Sequence, residues 1–282
     1  MTPTRRAALA GAGALLIAAP AVAEPAPRRV VSLNACLDAI LVHIADRGQI
    51  AALSHYAREP VGATISDVAK TLPFTWETAE EVIALRPDLV LTSRHSALAT
   101  RNALGRMNIP TELFAVPDSV AASLDQVREV ARLVGRPERG EDLIARIEVA
   151  IAAAAPPPGS RPLKALIYQP NGFAAGRGTL MDEMMTRAGF ENVAGRYGLG
   201  KWGNVPVERL LADPPQVLLS GTPAQGSRTW ADRVMRHPAL ASLSGRMVQA
   251  RLEEKLLYCG GPVLIQTAAA LAEARRTALE AL

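Results

Sequence analysis

An amphipathic run lies near the middle of the chain, between Arg136 and Gly159. Apolar residues recur there at the spacing of one helical face, and charged residues occupy the other face. The apolar set is Leu143, Ile147, Ala150, Ile151 and Ala154. Pro137 suits the first turn of a helix, whereas the prolines that follow Ala155 cannot continue one. The pattern predicts a single helix over 137–158 with one buried face.

Two segments on either side of this helix follow the same plan. Residues 80–91 read EEVIALRPDLVL, and residues 208–219 read ERLLADPPQVLL. Each predicts a short helix opened by an acid, a proline stop and a buried parallel strand. Connectors of this kind are common in α/β proteins, so a chance match is the alternative to an internal repeat.

Strand-length apolar runs alternate with helical patterns through both halves of the chain, including a helix expected over 228–236. Such alternation is typical of parallel sheets. The predicted fold is therefore α/β, with two lobes of mainly parallel sheets flanked by helices and joined by a single long backbone helix. The N-terminal lobe would span 24–136 and the C-terminal lobe 159–282, each close to the usual domain size.

The first 23 residues have the composition of a cleaved secretory signal. Arg5 and Arg6 precede an apolar stretch that is short for a membrane span, and the segment ends in small residues. The paired arginines fit a twin-arginine signal as well as a general secretory one. No cysteine follows the small residues, so no lipid anchor is expected. We expect a mature protein that begins near Glu24, in a bacterial periplasm or outside the cell.

Charge and composition narrow the class of protein. The formal net charge is +4, and it falls to +2 once Arg5 and Arg6 are removed, because residues 1–23 contain no Asp or Glu. The remaining basic residues are dispersed, which does not indicate a nucleic-acid partner. The hydrophobic fraction of 49% is ordinary for a globular α/β chain.

Cys36 and Cys259 are the two cysteines of the chain, and they fall in predicted loops of opposite halves. An oxidising compartment favours a disulfide between them, which would tie one half to the other. The alternative is two unpaired thiols at separate sites. Two lone cysteines without a further Cys or His pattern do not predict a zinc site, and no metal ligand is assigned.

Aromatic residues stand in loops where an open α/β sheet binds ligands. Tyr56 follows the second predicted strand, Trp76 precedes a helix that Thr78 and Glu81 cap, and Trp202 lies in a long loop over 195–204. An aromatic side chain in a loop can equally serve to fill space in the packed interior.

The glycines of 169–178 lack the spacing of a nucleotide-binding loop. No nucleophile motif, metal cluster or acid–base pair is evident, so the sequence does not predict an enzyme; a secreted α/β hydrolase is the alternative.

Taken together, its motifs make the chain resemble the periplasmic substrate-binding proteins of ABC importers for ferric siderophores, haem and cobalamin. The residues that carry the resemblance are Arg29 to Leu33, Glu80 to Leu91, Thr179 to Asp182, Ala188 with Gly189, Asn192 with Val193, and Val207 to Leu210 with Pro215. The match covers nearly all of the mature chain. The resemblance implies a monomer that clamps a metal chelate between two lobes and uses no cofactor.

The resemblance also implies which residues dock onto the importer and which contact the ligand. Glu80 and Glu208 would dock onto the transmembrane subunits of the importer, one from each lobe. The predicted ligand contacts are Tyr56, Trp76, Arg94, Trp202, Arg251 and Tyr258, because flat, partly apolar chelates favour aromatic walls and anionic siderophores favour arginines. Ferric siderophore and corrinoid rank equally as ligands, and a haem-binding receptor of the same fold is the alternative.

Overall fold

The computed structural model describes residues 25–169, 172–221, 243 and 245–282. The first sheet is parallel throughout, with its strands in the order β3-β2-β1-β4-β5. These are β1 (Val30–Ser32), β2 (Ile50–Ser54), β3 (Phe74–Thr75), β4 (Leu89–Ser93) and β5 (Thr111–Phe114). The accompanying helices are α1 (Ala35–Ile44), α2 (Ser66–Ala69), α3 (Ala79–Ala84), α4 (Leu98–Arg106) and α5 (Val120–Leu133). The predicted signal segment over 1–23 lies outside the described residues.

A long helix, α6 (Pro137–Ala153), leads to the second set of strands. These are β6 (Leu163–Ile167), β7 (Phe173–Ala175), β8 (Phe190–Asn192), β9 (Trp202–Asn204), β10 (Val217–Ser220) and β11 (Val248–Arg251). The helices among and after them are α7 (Leu180–Arg187), α8 (Val207–Ala212) and α9 (Val263–Ala281). Four of the strands form a parallel sheet in the order β11-β10-β6-β8, and β7 pairs with β9 alone. The helix expected over 228–236 lies outside the described residues.

The two sheets repeat one strand order. In the first, β2-β1-β4-β5 are neighbours, and in the second β8-β6-β10-β11 follow the same sequence of positions. The six-residue helices α3 and α8 each lead into the strand beside the first strand of their sheet, β4 and β10 respectively. The matched segments of the sequence therefore occupy equivalent places. The predicted α/β class with two mainly parallel sheets is confirmed.

Helix α6 lies between the two sheets and contacts α1 and α5 on one side and α7 and α9 on the other. Leu143, Ile147 and Ile151 of the predicted apolar face are buried. The helix ends at Ala153, earlier than the predicted 158, and Ala154 is its C-cap. The physical reason is Pro156, because a residue that precedes a proline is disfavoured in helical conformation and the prolines themselves cannot extend the hydrogen-bond ladder.

The lobes share one buried core and several direct contacts. A single hydrophobic cluster includes Leu53 of the first sheet, Ile147 of α6 and Leu219 of the second sheet. At the start of α5, the amide of Val120 donates to Glu183 Oε2 of α7 at 2.8 Å. This acid satisfies one of the free amides at the helix N-terminus. The junction between the lobes is therefore packed and hydrogen-bonded like the interior of a single domain.

Two loops expected in the second half contain short strands. Residues 169–178 and 195–204 were each expected to be irregular, but β7 and β9 pair antiparallel across them, with Ala174 opposite Gly203. Tyr197 is buried and donates from its hydroxyl to Asp213 O at 2.6 Å, so the second loop is packed. Three-residue strands are too short to show alternation in a sequence. Within the described residues, no helix is long and apolar enough to cross a bilayer.

Candidate functional site

A pocket of ≈ 480 Å³ opens at the carboxyl edge of the first sheet. The residues that line it follow β1 to β4: Leu33, Asn34, His55, Tyr56, Trp76, Glu77, Ser93, His95, Ser96 and Ala97. Open parallel sheets bind their ligands at this edge, because the connecting loops converge there. Tyr56 and Trp76, both predicted as ligand contacts, are thus brought together.

Strand pairing explains why the aromatic residues meet. In the parallel pair β2 and β3, Ser54 lies opposite Thr75, so the residues that follow each strand become neighbours. The His55 ring contacts the rings of both Tyr56 and Trp76, with centroid distances of 3.8 and 4.8 Å. Tyr56 is 48% exposed and Trp76 61% exposed. Two exposed aromatic side chains beside an imidazole suit a flat, partly apolar ligand.

The polar lining of the pocket is held by hydrogen bonds at its base. Asn34 caps α1 by accepting from the Cys36 amide at 3.0 Å, and its side-chain amide donates to Ser93 Oγ at 3.3 Å. The Ser96 hydroxyl donates to Leu33 O at 2.9 Å. Loops after β1 and β4 are therefore fixed to each other. Burial raises the pKa of Glu77 from 4.5 to about 7, so this carboxyl lies close to its protonation midpoint near neutral pH.

Trp202 lies on the second lobe. It stacks on Phe173 across the β7–β9 pair, with ring centroids 5.3 Å apart and planes inclined by 6°, and it remains 43% exposed. The neighbouring Lys201 Nζ is 3.0 Å from Asp118 Oδ2 of the first lobe. The segment that leads into β9 thus contacts the first lobe, but Trp202 does not line the pocket described above.

The remaining predicted contacts are dispersed. Arg94 is exposed and does not line the pocket. Arg251 ends β11 and is paired with Glu253. Tyr258 is 45% exposed, and its hydroxyl donates to Glu254 Oε1 at 2.7 Å. Partial burial raises the pKa of this hydroxyl, and the hydrogen bond to Glu254 raises it further.

A disulfide joins Cys36 and Cys259 across the lobes, with their Cα atoms 5.0 Å apart. Cys36 lies in the first turn of α1 instead of in the predicted loop, because Asn34 caps the helix and α1 already begins at Ala35. Beyond Cys259, the Gly261 amide donates to Ser123 Oγ of α5 at 2.7 Å. A Cβ on Gly260 would lie 2.3 Å from the same oxygen, which explains a glycine at this close approach.

Sequence reasoning missed the polar members of the pocket. His55 and Glu77 each adjoin a predicted aromatic contact, and this adjacency was the only signal available. His95, in the loop that follows β4, also lines the pocket. Among the described residues, no three His, Cys, Asp or Glu side chains come together as an ion-binding cluster.

Comparison with known proteins gives the family. A family described as periplasmic binding protein matches residues 30–245, about three quarters of the chain. The chain belongs to this family. A search of curated protein sequences found no match. The predicted membership among periplasmic receptors for metal chelates is confirmed, and its family places this protein in the periplasm.

Solved periplasmic binding proteins share the fold. The haem-binding protein RhuT from Roseiflexus sp. RS-1 is 26% identical with a TM-score of 0.71, and the match covers 88% of this chain and 98% of RhuT. A haem-binding protein from Pseudomonas aeruginosa is 23% identical, with a TM-score of 0.68 and coverage of 87% and 91%. The vitamin B12 binding protein BtuF of Vibrio cholerae is 16% identical, with a TM-score of 0.64 and coverage of 90% and 98%. The family and these relatives are binding proteins.

Proposed function

We propose that this protein captures a flat metal chelate, haem before cobalamin or a ferric siderophore, and delivers it to an ABC importer without chemical turnover. The observation that carries the proposal is the pocket in which an imidazole contacts two exposed aromatic side chains. Aromatic faces contact a macrocycle, and imidazole or phenol groups serve as axial ligands of haem iron.

The described lining of the pocket has no permanently cationic side chain, which disfavours a strongly anionic siderophore. None of the ten described residues that line it is Arg or Lys, and Arg94 and Arg251 lie outside it. A ferric siderophore with net negative charge would gain little attraction there. The haem-binding names of two relatives agree with this order of preference, which reverses the order expected from sequence. Cobalamin, named for the third relative, is the second candidate.

Delivery to the importer would use Glu80 and Glu208. Both occupy the second position of a six-residue helix, in equivalent places of the two sheets. Both are exposed, and neither forms an ion pair within the described part of the chain. Two unpaired carboxylates at matching positions suit a partner with a pair of basic sites, bound by exposed and salt-sensitive contacts.

Titration of the mature protein with hemin, cyanocobalamin and an anionic ferric catecholate tests the ligand. We expect quenching of tryptophan fluorescence and a shifted haem absorption band with hemin, and weaker or no binding of the other two. Trp76→Ala should weaken hemin binding about tenfold or more, in line with the loss of a buried aromatic contact of 1 to 2 kcal/mol. Tighter binding of cyanocobalamin or the siderophore would contradict the preference for haem.

A further inference from the structure

Two polar atoms at the base of the pocket have no hydrogen-bond partner among the described residues. They are His55 Nδ1 and Glu77 Oε1, both fully buried as atoms and 4.0 Å apart. The side chains are 19% and 12% exposed. Buried polar atoms are almost always hydrogen-bonded, so an unpartnered pair this close together requires an explanation.

The backbone holds Glu77 in this orientation. Its φ of 68° lies in the left-handed region, which a glutamate rarely adopts. Two threonines fix it there: the Glu77 amide donates to Thr75 Oγ1 at 3.0 Å, and the Thr100 hydroxyl donates to Glu77 O at 2.9 Å. A carboxylate on a surface loop would otherwise extend into water. Strained residues of this kind persist where the surrounding structure determines them and cluster at binding sites.

The imidazole has one nitrogen left for a ligand. Nδ1 is the buried nitrogen that faces Glu77, so Nε2 remains as the nitrogen available to the pocket that His55 lines. The rings of Tyr56 and Trp76 both contact the imidazole, and all three side chains line the pocket. A flat chelate held against the two exposed aromatic side chains would have its central metal within reach of Nε2.

We propose that His55 binds the metal of the chelate through Nε2 and that Glu77 is a positioning residue that keeps the proton of His55 on Nδ1. This inference rests on the proposed function, since it requires a metal with an open coordination site. The bond is dative, from the Nε2 lone pair to the metal, and no electron or proton leaves the pair. A carboxylate that accepts from the other ring nitrogen fixes the tautomer of a metal-binding histidine and raises its basicity.

The first test uses the free protein. Nitrogen-15 NMR of the histidine side chains should show His55 with a proton on Nδ1 and none on Nε2. In Glu77→Leu, which has no acceptor, His55 should shift toward the Nε2–H tautomer that predominates in free neutral imidazole, while His43 stays unchanged. A wild-type His55 that carries its proton on Nε2 would overturn the role of Glu77.

The second test uses hemin as the probe. His55→Ala should abolish the spectral signature of nitrogen ligation, and Glu77→Gln, which is isosteric, should weaken hemin binding by 10- to 100-fold with a shifted absorption band. His43→Ala, on the outer face of α1, should match the wild type. Thermal unfolding shows whether each variant is folded.

Other assignments give distinct results. If Tyr56→Phe or His95→Ala removes iron ligation while His55→Ala retains it, the proposed ligand is wrong. If wild-type protein binds none of the three chelates, the proposed function fails and the metal role of His55 fails with it, whereas an Nδ1–H tautomer in the NMR experiment would still establish the pairing with Glu77.

Discussion

Asp38 shows how a single buried carboxyl couples stability to pH. Its side chain is fully buried in α1 and accepts hydrogen bonds from the Ser54 amide and hydroxyl. Burial raises its pKa from 3.8 to about 8; hydrogen bonds from Ser32 and Ser54 oppose the rise, and the nearby Glu77 charge adds to it. The folded protein therefore holds a proton here that the unfolded chain releases above its ordinary pKa.

The sign of the pH dependence follows from this proton. Between about pH 4 and pH 8 the folded state binds more protons than the unfolded state at Asp38, so the contribution of Asp38 to stability is complete below pH 4 and is lost as pH rises through about 8. The limiting slope is about 1.4 kcal/mol per pH unit. We expect Asp38→Asn to remove this slope, because its amide can donate to Ser32 and its oxygen can accept from Ser54.

Urea unfolding at several values between pH 5 and pH 8 measures the effect. The stability of Asp38→Asn relative to the wild type should rise with pH. Asp67→Asn, on an exposed side chain, is the control and should give a constant difference. A constant difference for Asp38→Asn as well would mean that Asp38 is ionised in the folded protein.

Candidate site residues could be predicted from the sequence where they stood next to a recognisable strand or helix. Tyr56 and Trp76 follow or precede apolar runs, and the topology of parallel sheets places such loops at the ligand edge. His55 and Glu77 could not be recognised in this way, because the 4.0 Å approach of their side chains depends on the β2–β3 pairing and on a left-handed backbone that no local pattern reveals. The positions of Arg94 and Arg251 likewise depend on how loops fold.

At the scale of elements, helices were predicted best. Ser119 and Thr179 cap α5 and α7 through side-chain oxygens that accept backbone amides, and such caps can be read from a sequence. Strands of two or three residues, such as β3, β7 and β9, escaped prediction because they are too short for periodicity and are defined by their partners.

The contact between α5 and α6 depends on a glycine. A Cβ added to Gly140 would lie 2.5 Å from Ala131 Cβ of α5, so the two backbones approach closely at this point. We expect Gly140→Ala to destabilise the protein by about 1 to 3 kcal/mol, because overpacking outweighs the better helix propensity of alanine. Gly105, near the end of α4, has open space around it, and Gly105→Ala should stabilise by up to about 1 kcal/mol.

Chemical denaturation of both variants provides a matched comparison, since the substitution is the same and only the surroundings differ. Equal effects of Gly140→Ala and Gly105→Ala on the free energy of unfolding would contradict the close approach of α5 and α6.

At the scale of the whole molecule, the disulfide closes a long loop. Cys36 and Cys259 are 223 positions apart, and the chain-entropy model gives a stabilisation on the order of 5 kcal/mol for a loop of this length. We expect the double variant Cys36→Ser, Cys259→Ser to unfold at clearly lower denaturant concentration, and dithiothreitol to lower the midpoint of the wild type but not of the variant. A midpoint unaffected by both would show that the bond contributes little.

Docking can be separated from ligand binding. We expect Glu80→Ala with Glu208→Ala to leave hemin affinity unchanged and to reduce uptake by vesicles that contain the cognate importer at least tenfold, with less difference at high salt. Glu148→Ala, on α6 away from both short helices, is the control. Normal uptake by the double variant would remove these two glutamates from the docking surface.

The shared core at the junction of the lobes limits how much the shape of the protein can change when it binds its ligand. Lobes that are joined by a continuous hydrophobic cluster, a helix and a disulfide cannot swing apart freely, so the empty and the loaded receptor should have nearly the same outline. The empty and the loaded forms would then both be able to bind an importer. We expect the empty receptor to act as a competitor, so that the rate of import depends on the fraction of receptors that carry cargo.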